Sequence, residues 1–112
     1  MKRDEIWKVA IPFAPGHAQA GERPAVIVQD DPFIVTLPTV SIVPFTGSQS
    51  ATRFPGTVRV QPDGQNGLTG TFVALVFQMR ALDRRHCLRR LGELDVATLD
   101  QLFTELDKLT GR

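Results

Sequence analysis

Pro15-Gly16-His17-Ala18-Gln19-Ala20-Gly21-Glu22-Arg23-Pro24-Ala25-Val26-Ile27-Val28 changes character half-way along. It opens as a Gly-containing polar loop and ends as an unbroken apolar run. Such a run, bounded by turn residues, is the pattern of a strand buried on both faces, so a central strand is expected over residues 24–29. Arg23 stands at the hinge, and Pro24 fixes its own φ while pushing Arg23 into an extended conformation. A polar loop delivering His and Arg onto a rigid strand is a common way to hold reactive groups.

The flanking sequence supplies partners for that strand. Glu5-Ile6-Trp7-Lys8-Val9-Ala10-Ile11 alternates as a first strand and is closed by Pro12 and Pro15. Asp30-Asp31-Pro32 reads as a turn, with Ile34 to Leu37 a short extension. Thr39 to Val43 reads as the third strand, and residues 44–56 as a second polar loop dense in hydroxyls. Thr57 to Val60 is a short strand. Gly70 to Gln78 is a strongly apolar one continued by Met79 to Leu82, and Leu88 to Leu91 a last short one. Asp95 is placed to N-cap a helix carrying Val96, Leu99, Leu102, Phe103, Leu106 and Leu109 at helical spacing, with Gly111 at its C-cap. The expected architecture is mainly β: five or six short strands curled into a small barrel, closed by one C-terminal amphipathic helix.

Composition sets bounds on function. At 112 residues a single domain over 1–112 is expected, and a chain of this size buries roughly 65% of its unfolded surface without staples. Cys87 is the single cysteine, so no intrachain disulfide forms. No apolar run of membrane-spanning length and no signal peptide is visible. The expected address is the cytoplasm. The net charge of +1 hides a cluster, since Arg80, Arg84, Arg85, Arg89 and Arg90 fall between positions 80 and 90.

Two histidines and one cysteine give no zinc ligand set, no Gly-Lys-Ser/Thr follows the Gly-containing loop, and Gly-x-Ser-x-Gly is absent. What remains is a pair of loops, the first offering His17, Gln19 and Arg23 and the second Thr46, Ser48 and Arg53. His, Arg and hydroxyls without carboxylates suit an anionic substrate, most simply a phosphodiester. Metal-free RNA cleavage needs a base for the 2′-OH, cations for the phosphorane and an acid for the leaving 5′-oxygen. His17 exchanges protons near neutral pH, and Arg23 and Thr46 are suited to bind phosphate oxygens. Each has a plainer alternative: a solvated histidine, a strand-start salt bridge, a turn threonine capping its own backbone. The arginine cluster is open to the same choice, between an RNA footprint and a solvated edge that deters aggregation.

At Gly16-His17-Ala18-Gln19-Ala20-Gly21-Glu22-Arg23-Pro24, opening the apolar strand, the sequence resembles the MazF/PemK (Kid) toxins, the mRNA interferases of bacterial toxin–antitoxin pairs. Glu5-Ile6-Trp7, Val43-Pro44-Phe45-Thr46, Gly70 to Leu82 and the Leu91-Gly92 step before the final helix fit the same order, so the resemblance covers essentially the whole chain. It implies an SH3-like barrel of the CcdB/MazF/PemK type and a homodimer. It also implies a cytoplasmic endoribonuclease that cuts single-stranded RNA with neither metal nor cofactor, leaving a 2′,3′-cyclic phosphate, and a cognate antitoxin that restrains it. Arg23 matches the family's catalytic arginine, Thr46 its catalytic threonine and His17 the PemK-branch histidine. Gln19, Ser48, Arg53 and Arg80 are the implied substrate-binding residues. Three positions depart from the family pattern: Ala18 stands for a loop glutamate, Phe77 for an aspartate and Leu75 for an arginine. Losing one preorganised donor costs about 100- to 1,000-fold in rate, so reduced activity is expected. The alternative is a member of the fold that binds RNA or an antitoxin without cutting. A CcdB-like gyrase poison is disfavoured, because the chain ends Leu109-Thr110-Gly111-Arg112 without the aromatic end of that branch.

Overall fold

A computed structural model describes residues 1–12 and 21–112. Seven strands and two α-helices occur in it: β1 (Glu5–Ile11), β2 (Gly21–Ile27), α1 (Asp31–Thr36), β3 (Thr39–Thr46), β4 (Thr57–Val60), β5 (Phe72–Leu75), β6 (Arg80–Asp83), β7 (Cys87–Glu93) and α2 (Val96–Thr110). Short 3₁₀ turns lie at Gln49–Arg53, Val76–Gln78 and Arg84–His86.

The strands form one antiparallel sheet in the order β4-β5-β3-β2-β1-β7, with β6 also paired to β3. Its end strands β4 and β7 are not paired with each other, so the sheet does not close into a barrel. The fold class, mainly β with a C-terminal helix, is as the sequence implied.

The central run behaves as its composition dictates. Ala25 and Ile27 pack on one face with Val9, Ile11, Ile34, Val40, Ile42 and Leu82. Val26 and Val28 pack on the other with Ile6, Val43, Phe45, Ala74, Leu99 and Leu102. The sheet thus separates two cores, the first covered by Ile34 of α1 and the second by α2. Burying each large side chain contributes about 1.5–3 kcal/mol, and Phe45, fully enclosed, is among the largest.

Several elements differ from the sequence reading. β2 runs Gly21–Ile27, so the antiparallel pairing with β1 (Ile11↔Gly21 to Ile6↔Val26) starts before Pro24. The Asp30-Asp31-Pro32 turn with its strand extension is a helix instead: Asp30 caps it and Pro32 sits in its first turn, where a missing N–H costs nothing. β3 continues past Pro44 to Thr46 because it changes partner there. Its ladder with β2 ends at Ala25↔Pro44, and Phe45 and Thr46 pair with Ala74 and Val73 of β5. The long strand expected over Gly70–Leu82 is two strands. β3 takes three steps from Phe45 to Ile42 while the opposing chain takes six from Ala74 to Arg80, and the surplus is the turn Val76–Gln78. β7 is longer than expected at both ends.

Candidate active site at the β2–β3 split

The parting of β2 from β3 beyond Ala25↔Pro44 makes an opening in the sheet, and Arg23 lies in it. Strand alternation puts Arg23 on the Ala25–Ile27 face, opposite Val9 of β1. Its Nη1 donates to the Phe45 carbonyl at 3.2 Å, a bond from the side chain where the backbone ladder has stopped. Partial burial pushes the guanidinium below its usual pKa, although an arginine remains charged.

Thr46 follows Phe45 and shares the face of Ile42 and Val40 by alternation. Its Oγ1 accepts the Ser48 N–H at 3.2 Å. A hydroxyl that accepts keeps its own hydrogen to donate, so Thr46 offers a donor at the same end of β3 where Arg23 is anchored. The structure thus brings Arg23 and Thr46 together through one peptide unit.

The other expected site residues are placed differently. His17 and Gln19, with Ala18, lie outside the described residues. Ser48 Oγ is 3.0 Å from Ser50 Oγ in the turn after Thr46. Arg53 donates to the Ser50 carbonyl at 3.3 Å and stacks on the Phe54 ring at 4.5 Å, so it is engaged within its own turn. Arg80 pairs with Ile42, four positions and about 13 Å along β3 from Thr46. Of the departures, Leu75 is buried in β5 and Phe77 lies against Phe54 with ring centroids 5.6 Å apart.

The arginine cluster is dispersed. Arg84 donates to the Leu37 carbonyl, Arg85 pairs with Asp83 at 3.3 Å, and Arg90 bridges Glu5 (2.9 Å) and Glu93 (2.7 Å). Arg89 stands on another face of β7, where it lines a cleft of about 430 Å³ with Lys8, Glu22, Arg23, Pro24, Leu68 and Phe72. The sequence reading overlooked this cleft. Lys8 interrupts the apolar pattern of β1, which was its one local signal; its pairing with β7 comes from a register between distant segments. Among the described residues no three His, Cys, Asp or Glu side chains gather as a metal-ligand set, and no helix is long and apolar enough to cross a membrane.

Residues 2–110 match the model of the PemK-like, MazF-like toxin of type II toxin–antitoxin systems. The chain belongs to this family. Among similar members, Endoribonuclease MazF9 of Mycobacterium tuberculosis is 32% identical over 107 residues, 91% of this chain and 89% of that protein. Endoribonuclease MazF of Staphylococcus saprophyticus is 26% identical over 99% of this chain and 92% of its own length. In three dimensions this PemK/MazF-like chain superposes on MazF from Deinococcus radiodurans with a TM-score of 0.84 at 23% identity, covering 100% of this chain and 97% of that one. A mycobacterial endoribonuclease in complex with its cognate antitoxin superposes with a TM-score of 0.77 at 20% identity, over 99% and 95% of the two chains. Both structural likenesses concern the fold.

Proposed function

We propose that this chain is a toxin endoribonuclease that cleaves single-stranded mRNA without a metal, and that it acts as a single domain over residues 1–112, as a homodimer, under the restraint of a cognate antitoxin. The observation that carries the reading is the Arg23 guanidinium anchored on the Phe45 carbonyl beside the Thr46 hydroxyl. Relatives named endoribonucleases, and a structural neighbour bound to its antitoxin, support it.

In this reading the scissile phosphate lies against Arg23 and Thr46. The 2′-oxygen attacks phosphorus, the bond from phosphorus to the 5′-oxygen breaks, and the products are a 2′,3′-cyclic phosphate and a 5′-hydroxyl. Arg23 holds two phosphate oxygens and offsets the charge that builds on the phosphorane, while Thr46 donates to one of them. His17 is the group for proton transfer, because its ordinary pKa lies near neutrality. With Leu75 and Phe77 apolar, the site lacks the phosphate-stabilising arginine and the acid–base aspartate that family members carry there. Turnover is accordingly about 100- to 1,000-fold slower.

The same two apolar positions favour a second reading, a non-cutting module that binds RNA or an antitoxin. One assay separates the two: a long single-stranded RNA incubated in EDTA with wild type and with Arg23→Ala. Discrete fragments from wild type alone establish the endoribonuclease with Arg23 in its site. Intact RNA in both lanes, from folded protein, transfers the assignment to the binding module.

A further inference from the structure

The cleft beside Arg23 contains an arrangement that costs stability. Lys8 of β1 stands directly opposite Arg89 of β7 in the antiparallel register, and like charges facing each other across strands are unfavourable. Glu22 answers Lys8 at 3.3 Å. Arg89 makes no ion pair with any described residue, whereas its neighbour Arg90 makes two on another face. Register explains the grouping: Lys8 also faces Pro24 of β2, so Arg89, Lys8, Pro24 and Glu22 share one side of the sheet.

Leu68, Phe72 and Leu91 give the cleft an apolar floor, and Thr69 and Arg90 also contribute to its lining. Its volume of about 430 Å³ falls within the range of small-molecule sites, roughly 300–1,000 Å³. It lies on the Val26 face of the sheet, opposite the Arg23 and Thr46 side chains, and meets the proposed active site at the opening between β2 and β3. Arg23 contributes to its lining, and a Cβ on Gly47, the residue after Thr46, would lie 4.0 Å from the Phe72 ring. Two cations above an aromatic and aliphatic floor, reached from the phosphate-binding pair through the β2–β3 opening that Arg23 lines, match a phosphate carried next to a flat base.

We infer that this cleft is a nucleotide subsite for single-stranded RNA. Lys8 and Arg89 take a phosphate flanking the cleaved one, and Phe72 takes the face of the adjoining base. The inference rests on the endoribonuclease reading for what the neighbouring pair does, but its test needs no cleavage. Lys8 exchanges Glu22 for the incoming phosphate, and Arg89 gains a counter-charge that no described residue gives it.

The test uses a 2′-O-methylated single-stranded oligoribonucleotide, which cannot be cut by 2′-OH attack, titrated by fluorescence anisotropy over a range of KCl. Lys8→Gln combined with Arg89→Gln is expected to weaken binding about tenfold and to reduce the slope of log K against log salt by roughly 0.7, one phosphate's worth. Phe72→Leu weakens binding about tenfold with the slope unchanged. The double variant melts close to wild type, because relief of the repulsion offsets loss of the exposed Lys8–Glu22 pair, which contributes little. If wild type cuts RNA in EDTA, the double variant raises KM and leaves kcat unaltered.

Equal affinity and slope in wild type and double variant overturn the subsite, as does a wild type that does not bind the oligonucleotide. So does a double variant that loses binding to a polyglutamate peptide while retaining RNA, which would assign the cleft to an acidic polypeptide. A wild type that binds the oligonucleotide through Lys8 and Arg89 but cuts nothing supports the subsite and removes the endoribonuclease reading alone.

Discussion

At the scale of single residues, the sequence singled out side chains more readily than it placed them. The sequence put Arg23 at a hinge before the strand and Thr46 in a polar loop; the structure puts both inside strands, Arg23 as the third residue of β2 and Thr46 as the last of β3. What the sequence did not disclose was the reason they meet: the ladder between β2 and β3 stops at Pro44, and Arg23 bonds the next carbonyl along. That geometry predicts a difference between charge and shape. Arg23→Lys keeps the cation but loses the planar fork, so RNA cleavage should fall about 100-fold or more with the melting temperature nearly unchanged. Cleavage at the wild-type rate would mean a point charge suffices. Asp4 offers a prediction of the opposite kind. It adopts φ of 77°, a region that favours glycine. Burial, then the neighbouring Glu93 and Glu5, raises its carboxyl above the usual range. Its backbone is held by Asp4 N–H to the Ile27 carbonyl and by Leu94 N–H to its own, so Asp4→Gly keeps the geometry and removes both costs. Stability should rise by about 1 kcal/mol at neutral pH, read as a higher urea midpoint; a lower midpoint would show that the carboxylate has a partner role.

Elements were legible where local rules suffice. Helix α2 could be read from its stripe and its caps. Asp95 accepts the Thr98 N–H at 3.0 Å and the Thr98 hydroxyl at 2.7 Å, and Gly111 adopts φ of 78° at the other end. Asp95→Ala is therefore expected to cost about 1 kcal/mol, seen as a lower melting temperature by circular dichroism. An unchanged melt would mean the cap adds nothing to a helix already fixed by packing. The division of Gly70–Leu82 was not legible, because its composition is apolar throughout and the interruption at Val76–Gln78 is imposed by β3, which needs three fewer residues. Nor was the reason for glycine at 92. A Cβ there would lie 2.2 Å from the Gln65 carbonyl oxygen, and one on Gly67 would lie 2.0 Å from that of Leu91. The loop between β4 and β5 therefore packs its backbone directly on β7. Asn66, almost wholly buried, holds that loop by accepting from Asp63 and Leu68 and donating to Gln61. Gly92→Ala should cost about 2 kcal/mol or more and, by displacing the loop that carries Leu68, loosen the cleft. A stability within a few tenths of wild type would show that the loop can retreat freely.

The whole molecule depends on how its first strand is tied to its last, and pH probes that tie. Glu5, buried at the start of β1, accepts from Trp7 Nε1 at 3.0 Å, from Arg90 Nε at 2.9 Å and from the Lys2 N–H at 2.9 Å. Burial alone would raise its carboxyl, but the bonds from Trp7, Arg90 and Lys2 together outweigh burial and hold it below the ordinary value of 4.5. A carboxyl whose pKa is lower folded than unfolded binds its proton more weakly in the folded state. Its contribution is thus complete above the unfolded pKa and is lost as pH falls through the folded one. Asp95, lowered by its bonds from Thr98, acts in the same direction, and Asp4 opposes them. Urea midpoints should accordingly hold from pH 7 to about 5 and decline below that. Glu5→Gln keeps the shape but not the charge. It should be less stable than wild type at pH 7 by about 1–3 kcal/mol, with the gap narrowing steadily as wild type acidifies. Trp7 is the chain's one tryptophan, so its fluorescence reports the same titration from inside the pair. Wild type and Glu5→Gln profiles that run parallel from pH 7 to 3 would mean that the tie between β1 and β7 is carried by the strand ladder and not by this carboxylate.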